Sequence, residues 1–259
     1  MNHPLPTPPP RRRTALDCLA LVASLALAPS CETYDRPGRP DDSKRTADHA
    51  SAAASEPKTP ASQARRLKID HKAVASEGEK VYNTMCVACH GPAGVGKVGI
   101  GPRLASETFL EAASDEMLVK TVTLGRAGTT MPPWGASLSE REIHAIVGYL
   151  RGLVPHELAV LDESPLKGDT TAGAATYQAI CGRCHGKAGA GYQESSSGTG
   201  IGRSAFLDTV SNGYMRHLVK HGKSNTQMRP FDSKAPTAVA NLSDTEIDNV
   251  ITYLRSRAW

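Results

Sequence analysis

Aromatic side chains are scarce in this chain. They make up 5% of its 259 residues, with three Phe and two Trp, and apolar residues reach only 39%. So thin a supply does not line one large core and favours two small domains. No apolar run approaches the roughly 18–20 residues of a membrane-spanning helix. Neither sign of charge predominates: 30 Lys and Arg stand against 26 Asp and Glu, for a net charge of +4. That charge is too weak and too evenly spread to suggest a nucleic-acid binder, and the absence of a long like-charge block argues against wholesale disorder. No stretch alternates convincingly as a strand, so the fold class expected is all-α. Six cysteines are present, and four of them fall into two equal frames, Cys86-Val-Ala-Cys89-His90 and Cys181-Gly-Arg-Cys184-His185.

The other two cysteines lie in the first 31 residues. Arg11, Arg12 and Arg13 precede an apolar run from Leu19 to Ala28, the layout of an export signal. Ala26-Leu27-Ala28 suits cleavage by a signal peptidase but would leave Pro29 first. The alternative, Leu27-Ala28-Pro29-Ser30-Cys31, resembles a bacterial lipoprotein signal in which Cys31 becomes the lipidated first residue and tethers the protein to a membrane; Ala28 stands where that pattern usually has Leu. Cys18 reads as a small hydrophobe of the signal. Residues 1–31 are thus an export signal and residues 32–70, rich in Pro, Ser, Ala and mixed charge, a flexible linker. A linker of that length spans roughly 35 Å root-mean-square.

Beyond residue 70 the chain repeats itself. At an offset of 95, Gly78, Tyr82, Cys86, Cys89, His90 and Gly91 fall on Gly173, Tyr177, Cys181, Cys184, His185 and Gly186. At 97, Phe109-Leu110, Gly125, Met131, Pro133 and Trp134 match Phe206-Leu207, Gly222, Met228, Pro230 and Phe231; at 104, Leu138-Ser139, Glu142-Ile143 and Tyr149-Leu150-Arg151 match Leu242-Ser243, Glu246-Ile247 and Tyr253-Leu254-Arg255. Changing offsets mean insertions between fixed elements, so a domain has been duplicated. The expected boundaries are 71–153 and 168–259, with 154–167 as connector.

Each copy ends in a helix. Ser139 with Glu142, and Ser243 with Glu246, form capping boxes, and Ile143, Ile146, Val147 and Leu150 recur at helical spacing as Ile247, Val250, Ile251 and Leu254. His144 falls off that stripe and is expected at the surface. Gly78, Tyr82 and Cys86 predict a helix before the first Cys pair. A glycine inside a helix costs about 1 kcal/mol against Ala, which makes sense where a second helix crosses its backbone, the C-terminal one being the expected partner. A helix-start glycine of no special meaning is the alternative. Further helices are expected over 115–124 and 212–221.

Two cysteines three apart on a helical turn present both sulfurs to one side, and the next His can turn its ring the same way. That arrangement suits covalent capture of haem through its two vinyl groups, with the imidazole on the iron. The alternatives are a four-cysteine zinc site and redox dithiols. Zinc pairs normally lie about 15–20 residues apart and would leave both histidines without a role; a redox pair should follow a strand in a βαβ setting, which is absent.

An iron held by one His needs a sixth ligand or keeps an open face. Met131 and Met228 both lie in loops and precede Pro and aromatic residues, and they are the methionines that the repeat matches. A thioether is a soft ligand that raises the potential. Gap-filling core methionines are the alternative for both, and His221, His217 and Met215 are the substitutes for Met228; Met85 and Met117 read as packing residues.

These residues resemble the small all-helical cytochromes c with His/Met haem, here as a tandem two-haem protein. The resemblance implies two cytochrome c-like domains, each a few helices wrapped around one covalent haem. It implies two haem c irons, with Cys86, Cys89, His90 and Met131 holding the first and Cys181, Cys184, His185 and Met228 the second. In that family a Pro carbonyl accepts from the far nitrogen of the ligating His, a place that Pro102 resembles; Gly202-Arg203 stands at the expected equivalent in the second copy, which also carries a longer loop over 189–200. That departure predicts a different potential for the second haem.

The implied function is electron transfer outside the cytoplasm, in the periplasm, one electron per haem, between a redox protein donor and acceptor, with no catalytic residue. A two-haem peroxidase or small-molecule oxidoreductase is the rival, and an electron-transfer subunit of a dehydrogenase or terminal oxidase stays open. Peroxide chemistry needs an open iron position, which the paired methionines oppose. Lys187, Arg203, Lys220, Lys223 and Arg229 make the second copy the more basic and offer a cationic rim for an acidic partner, or merely solvated charge.

Overall fold

The computed structural model describes residues 71–232, 234–235 and 238–259. The export signal, Cys31 and the linker 32–70 lie outside the described residues. The described residues belong to one compact unit. The first repeat supplies α1 (His71–Met85), α2 (Val87–His90), α3 (Glu107–Ala112), α4 (Asp115–Leu124) and α5 (Glu140–Arg151). The second supplies α6 (Thr170–Thr176), α7 (Gly182–His185), α8 (Ser204–Leu207), α9 (Asn212–His221) and α10 (Asp244–Ser256). Among the described residues there is no strand, only an isolated bridge between Lys97 and Gly101.

Local sequence sets these boundaries. The Ser114 hydroxyl accepts from the Met117 N–H and Ser211 from the Tyr214 N–H, starting α4 and α9 at the positions the sequence predicts. Both capping boxes form: Ser139 and Ser243 each donate their N–H to a Glu three residues on and accept that residue's N–H in return. Ile143, Ile146, Val147 and Leu150 are buried along α5, as are Ile247, Val250, Ile251 and Leu254 along α10. The two copies differ where the first helix meets the first Cys. In the first, α1 ends at Met85 and Cys86 caps α2; in the second, a π-helical turn over Tyr177–Cys181 carries the chain straight from α6 into α7. Such turns concentrate at functional sites.

Gly78 and Gly173 are the crossing points. A Cβ on Gly78 would enter the Ala145 carbonyl of α5, and one on Gly173 the Asn249 carbonyl of α10. The C-terminal helix of each repeat is therefore the partner, backbone against backbone. The rings follow suit: Tyr82 lies 5.1 Å from Tyr149, and Tyr177 lies 5.5 Å from Tyr253. The Arg after each Tyr-Leu closes the opposite corner. Arg151 donates to the Leu110 and Ala113 carbonyls and to Asp115; Arg255 donates to the Leu207 and Val210 carbonyls and to Asn212.

The repeats do not keep separate cores. Tyr82, Val122, Leu138, Ile143, Ile146 and Leu150 form a cluster of the first repeat, whereas Phe109, Leu110, Met117 and Leu118 join Tyr177, Leu207, Tyr214 and Ile247 in one core that spans both. At its centre Tyr214 meets Phe109 and Phe206 edge-on, each at 6.5 Å. The connector is tied down as well. The Ala159 N–H donates to the Glu111 carbonyl, and Arg216, 4% exposed, donates to the Asp162 and Ser164 carbonyls while pairing with Asp248. A buried guanidinium with a partner for each nitrogen is tolerable; one left unpaired would be costly.

The crossing generates a stability prediction. Gly78→Ala forces α1 off α5 and should cost about 3 kcal/mol in denaturant unfolding, whereas Gly152→Ala, whose Cβ meets nothing closer than the Tyr149 carbonyl at 3.4 Å, should stay within about 0.5 kcal/mol. Equal effects would mean that the glycine is not selected by the crossing.

Candidate functional site

Each Cys-x-x-Cys-His frame sits on a tight helical turn. The Cys89 and His90 N–H groups both donate to the Cys86 carbonyl, at 3.1 and 2.9 Å. All four cysteines are free thiols. Burial pushes the Cys86 thiol up to about 11, with the neighbouring Cys89 adding to it, and burial likewise carries Cys181 to about 11. The turn ends at a glycine with positive φ in each copy, Gly91 at 70° and Gly186 at 83°, a conformation that L side chains resist. The chain is pinned there by a buried tyrosine: the Tyr82 hydroxyl donates to the Gly91 carbonyl at 2.7 Å and the Tyr177 hydroxyl to the Gly186 carbonyl at 2.8 Å.

The imidazoles are oriented from behind. His90 Nδ1 lies 2.9 Å from the Pro102 carbonyl and His185 Nδ1 lies 2.7 Å from the Thr199 carbonyl. A carbonyl only accepts, so Nδ1 carries the proton and Nε2 keeps its lone pair. Burial holds both rings below the ordinary histidine range, partly opposed by those carbonyls. A neutral, oriented imidazole with a bare Nε2 is a prepared metal ligand. The expected equivalence of Gly202-Arg203 to Gly101-Pro102 is corrected here. Gly198-Thr199 takes that place, because Gly198 crosses the Cys184 carbonyl as Gly101 crosses the Cys89 carbonyl; a Cβ would stand 2.7 and 2.5 Å from them. The second copy's inserted loop delivers the same carbonyl by another route, so the premise for unequal potentials falls.

That inserted loop is stitched by one carboxylate. Glu194, on the 3-10 turn Gly191–Glu194, accepts from the Ala188 N–H at 3.0 Å and the Ala190 N–H at 2.8 Å. These bonds hold it below the ordinary glutamate range.

Met131 and Met228 occupy loops of the same construction. The Arg126 N–H donates to the Met131 carbonyl at 3.0 Å and the Lys223 N–H to the Met228 carbonyl at 2.8 Å. Thr129 and Thr226 bridge these loops. Each hydroxyl donates to the carbonyl of the basic residue at 2.7 Å and accepts the Met N–H at 3.1 Å. Sequence reading passed over this threonine pair, although it falls on the same 97-residue offset as the methionines. Met228 and Cys181 pack on the shared core, and Trp134 and Cys86 on the first repeat's cluster. The substitutes for Met228 are engaged elsewhere: Met215 is buried in the shared core, and His217 faces Glu111 at 3.3 Å with the His221 ring 4.5 Å away. Met117 is buried, whereas Met85, expected to pack, is 40% exposed. His144 is partly covered and lies 3.8 Å from Glu140.

The basic residues do not form a single rim. Lys187 and Arg229 are exposed, but Lys220 pairs with Asp244 at 2.7 Å and Arg203 stacks 3.8 Å over Trp259. Lys223 is half-buried, with its ammonium 4.6 Å from the centre of the Phe109 ring; burial, then the Arg103 charge, pushes it down to about 8.

Paired free thiols on one turn and a neutral histidine with Nε2 available fit the attachment of a c-type haem in each repeat. Comparison with known proteins agrees. The family model described as cytochrome C oxidase, cbb3-type, subunit III, matches residues 73–150 and 168–254. Cytochrome c4 of Thiocapsa roseopersicina is 28% identical over 188 residues, 69% of this chain and 90% of that one. The cbb3-type cytochrome c oxidase subunit FixP of Bradyrhizobium diazoefficiens is 38% identical over 80 residues, 30% of this chain; the match spans 27% of that relative's length. Among solved structures, the Kuenenia stuttgartiensis reducing HAO-like protein complex Kustc0457/Kustc0458 is 23% identical, with a TM-score of 0.46, covering 71% of this chain and 96% of that one.

The carboxylate stitch is testable by titration. The stability Glu194 contributes is present above the ordinary glutamate range and lost as pH falls through its lowered value. The Ala188 and Ala190 amide resonances should shift together with a midpoint below that range and stop titrating in Glu194→Gln. A midpoint at the ordinary value would show that the carboxylate is merely solvated.

Proposed function

This chain belongs to the cytochrome c family described as cytochrome C oxidase, cbb3-type, subunit III, and from that premise we propose that it is an electron carrier with two covalent haem c groups, one in each repeat. Residues 71–153 and 168–259 are its two domains, joined by 154–167. Cys86 and Cys89, and Cys181 and Cys184, supply the thioether bonds. His90 and His185 give Nε2 to the iron, with Pro102 and Thr199 fixing their rings, and Met131 and Met228 give the sixth ligand. The bound iron supplies one-electron exchange between its ferrous and ferric forms. The chain's own part is to exclude water and hold both axial side chains still, and no acid, base or nucleophile is required. What carries the reading is the recurrence of one site in two copies: a Cys-x-x-Cys-His turn, a ring whose Nδ1 is committed to a carbonyl, and a threonine-bridged Met loop.

The partners in this reading are redox proteins, one donor and one acceptor, outside the cytoplasm. Export by residues 1–31 and lipidation of Cys31 belong to the same proposal, with 32–70 as the tether. A subunit role in a terminal oxidase is the second reading, favoured by the likeness to FixP. The match spans 90% of cytochrome c4 but 27% of FixP, and on that ground the carrier stands first.

Production in a host equipped for covalent haem attachment tests the proposal. Intact mass should show two haems that survive denaturation and acid-acetone extraction, falling to one in the Cys86→Ser/Cys89→Ser variant. Spectra in both oxidation states should barely change with cyanide, carbon monoxide or peroxide. Extractable pigment would overturn the covalent sites, and ready binding at either iron would favour an enzyme.

A further inference from the structure

The two Met loops are tied across the boundary between the repeats more firmly than their own turns require. In each loop a basic residue follows the glycine that ends the preceding helix, Arg126 after Gly125 and Lys223 after Gly222. Its backbone N–H closes the loop on the Met carbonyl. Its side chain leaves the loop and enters the other repeat. Arg126 Nη1 donates to the Ala205 carbonyl at 2.7 Å, and its guanidinium lies 5.6 Å from the centre of the Phe206 ring. Lys223 places its ammonium 4.6 Å from the centre of the Phe109 ring. Phe109 and Phe206 are the same position in the two repeats, as are Arg126 and Lys223. The duplicated domain thus makes the same cation-on-ring contact twice, each time with its sister.

Further bonds reinforce both crossings. The Ser224 N–H donates to Thr108 Oγ1 at 2.9 Å, and the Ser224 hydroxyl meets that of Ser106, which is fully buried, at 3.1 Å. From the second repeat's inserted loop, Gln193 Nε2 donates to the Gly128 carbonyl inside the Met131 loop. Among the described residues neither Arg126 nor Lys223 makes an ion pair; the Phe206 ring, the Ala205 carbonyl and, within its own repeat, the Thr121 hydroxyl at 2.9 Å offset the desolvation of Arg126, and the Phe109 ring that of Lys223.

We propose that each repeat locks the methionine loop of the other, Arg126, Phe206 and Gln193 acting as positioning residues for Met131, and Lys223, Phe109 and Thr108 for Met228. Ligand exchange at each iron is then governed by the neighbouring domain. The inference rests on Met131 and Met228 being the sixth ligands. A methionine leaves its iron only as its loop yields, and the loop yields only by breaking contacts made outside its own repeat.

The test is the rate of imidazole binding to the ferric, haem-loaded full chain. Met131→Ala and Met228→Ala assign each kinetic phase to its iron. Phe206→Leu and Gln193→Ala, both in the second repeat, should speed entry at the first repeat's iron by about five- to tenfold and leave the other unchanged. Thr108→Val, in the first repeat, should do the reverse. Arg126→Gln should match Phe206→Leu, with Arg126→Lys restoring most of the original rate. For Phe206→Leu, Gln193→Ala and Thr108→Val, acceleration at the iron of the repeat that carries the substitution, at both irons, or at neither overturns the lock, as does an Arg126→Gln variant that leaves the first repeat's iron unaffected. Normal phases in Met131→Ala and Met228→Ala would instead overturn the sixth-ligand reading. Gln193→Ala and Thr108→Val each delete only two side-chain hydrogen bonds, so the comparison survives should Phe206→Leu fail to retain both haems.

Discussion

Everything in this molecule hangs on two places where a glycine lets one helix backbone touch another. Gly78 against the Ala145 carbonyl and Gly173 against the Asn249 carbonyl set the crossing of first and last helix in each repeat. The consequences run down the chain in order. Tyr82 and Tyr177 come under the last helix, their hydroxyls reach the Gly91 and Gly186 carbonyls, and the Cys-x-x-Cys-His turn between is held in place. The imidazole then faces a carbonyl fixed by a second close approach, Gly101 on Cys89 or Gly198 on Cys184. Four close backbone contacts, each permitted by a missing Cβ, work alongside the apolar core that the two repeats share. A covalently held macrocycle would add the remaining apolar area.

A carrier of electrons gains from rigidity at the metal, because a ligand set that does not rearrange needs little reorganisation when the charge changes. In the proposed ligand set both sides serve that end. On the histidine side, Nδ1 is committed to a backbone carbonyl. On the methionine side, a threonine hydroxyl ties the Met N–H to the carbonyl of the basic residue, and that basic residue is anchored in the sister repeat. The duplication therefore yields more than two copies of one site. It yields a shared core around Phe109, Phe206 and Tyr214 that touches both methionine loops through the same pair of positions.

Much of this was legible in the residues, and the parts that were not share a cause. Capping boxes, the apolar stripe of the last helix and the glycine crossings are written in side-chain type at fixed spacing. The Cys-x-x-Cys-His frames are legible because their chemistry needs those side chains. The second histidine's partner was misplaced because a backbone carbonyl can come from any residue: Pro in one copy, Thr in the other, after an insertion of different length. Arg203 and Lys223 read as a surface rim because sequence does not tell a solvated cation from one that covers a ring. The same holds for Arg151 and Arg255, whose match across the repeats was visible but whose role, closing a corner on two carbonyls each, depends on tertiary neighbours.

The central claim is that each iron is held by one imidazole nitrogen and one thioether sulfur. Iron-edge X-ray absorption of the purified full chain measures it directly. The account predicts one sulfur scatterer per iron in both oxidation states. Half that amplitude, or none, would contradict it, since at least one methionine would then not be a ligand.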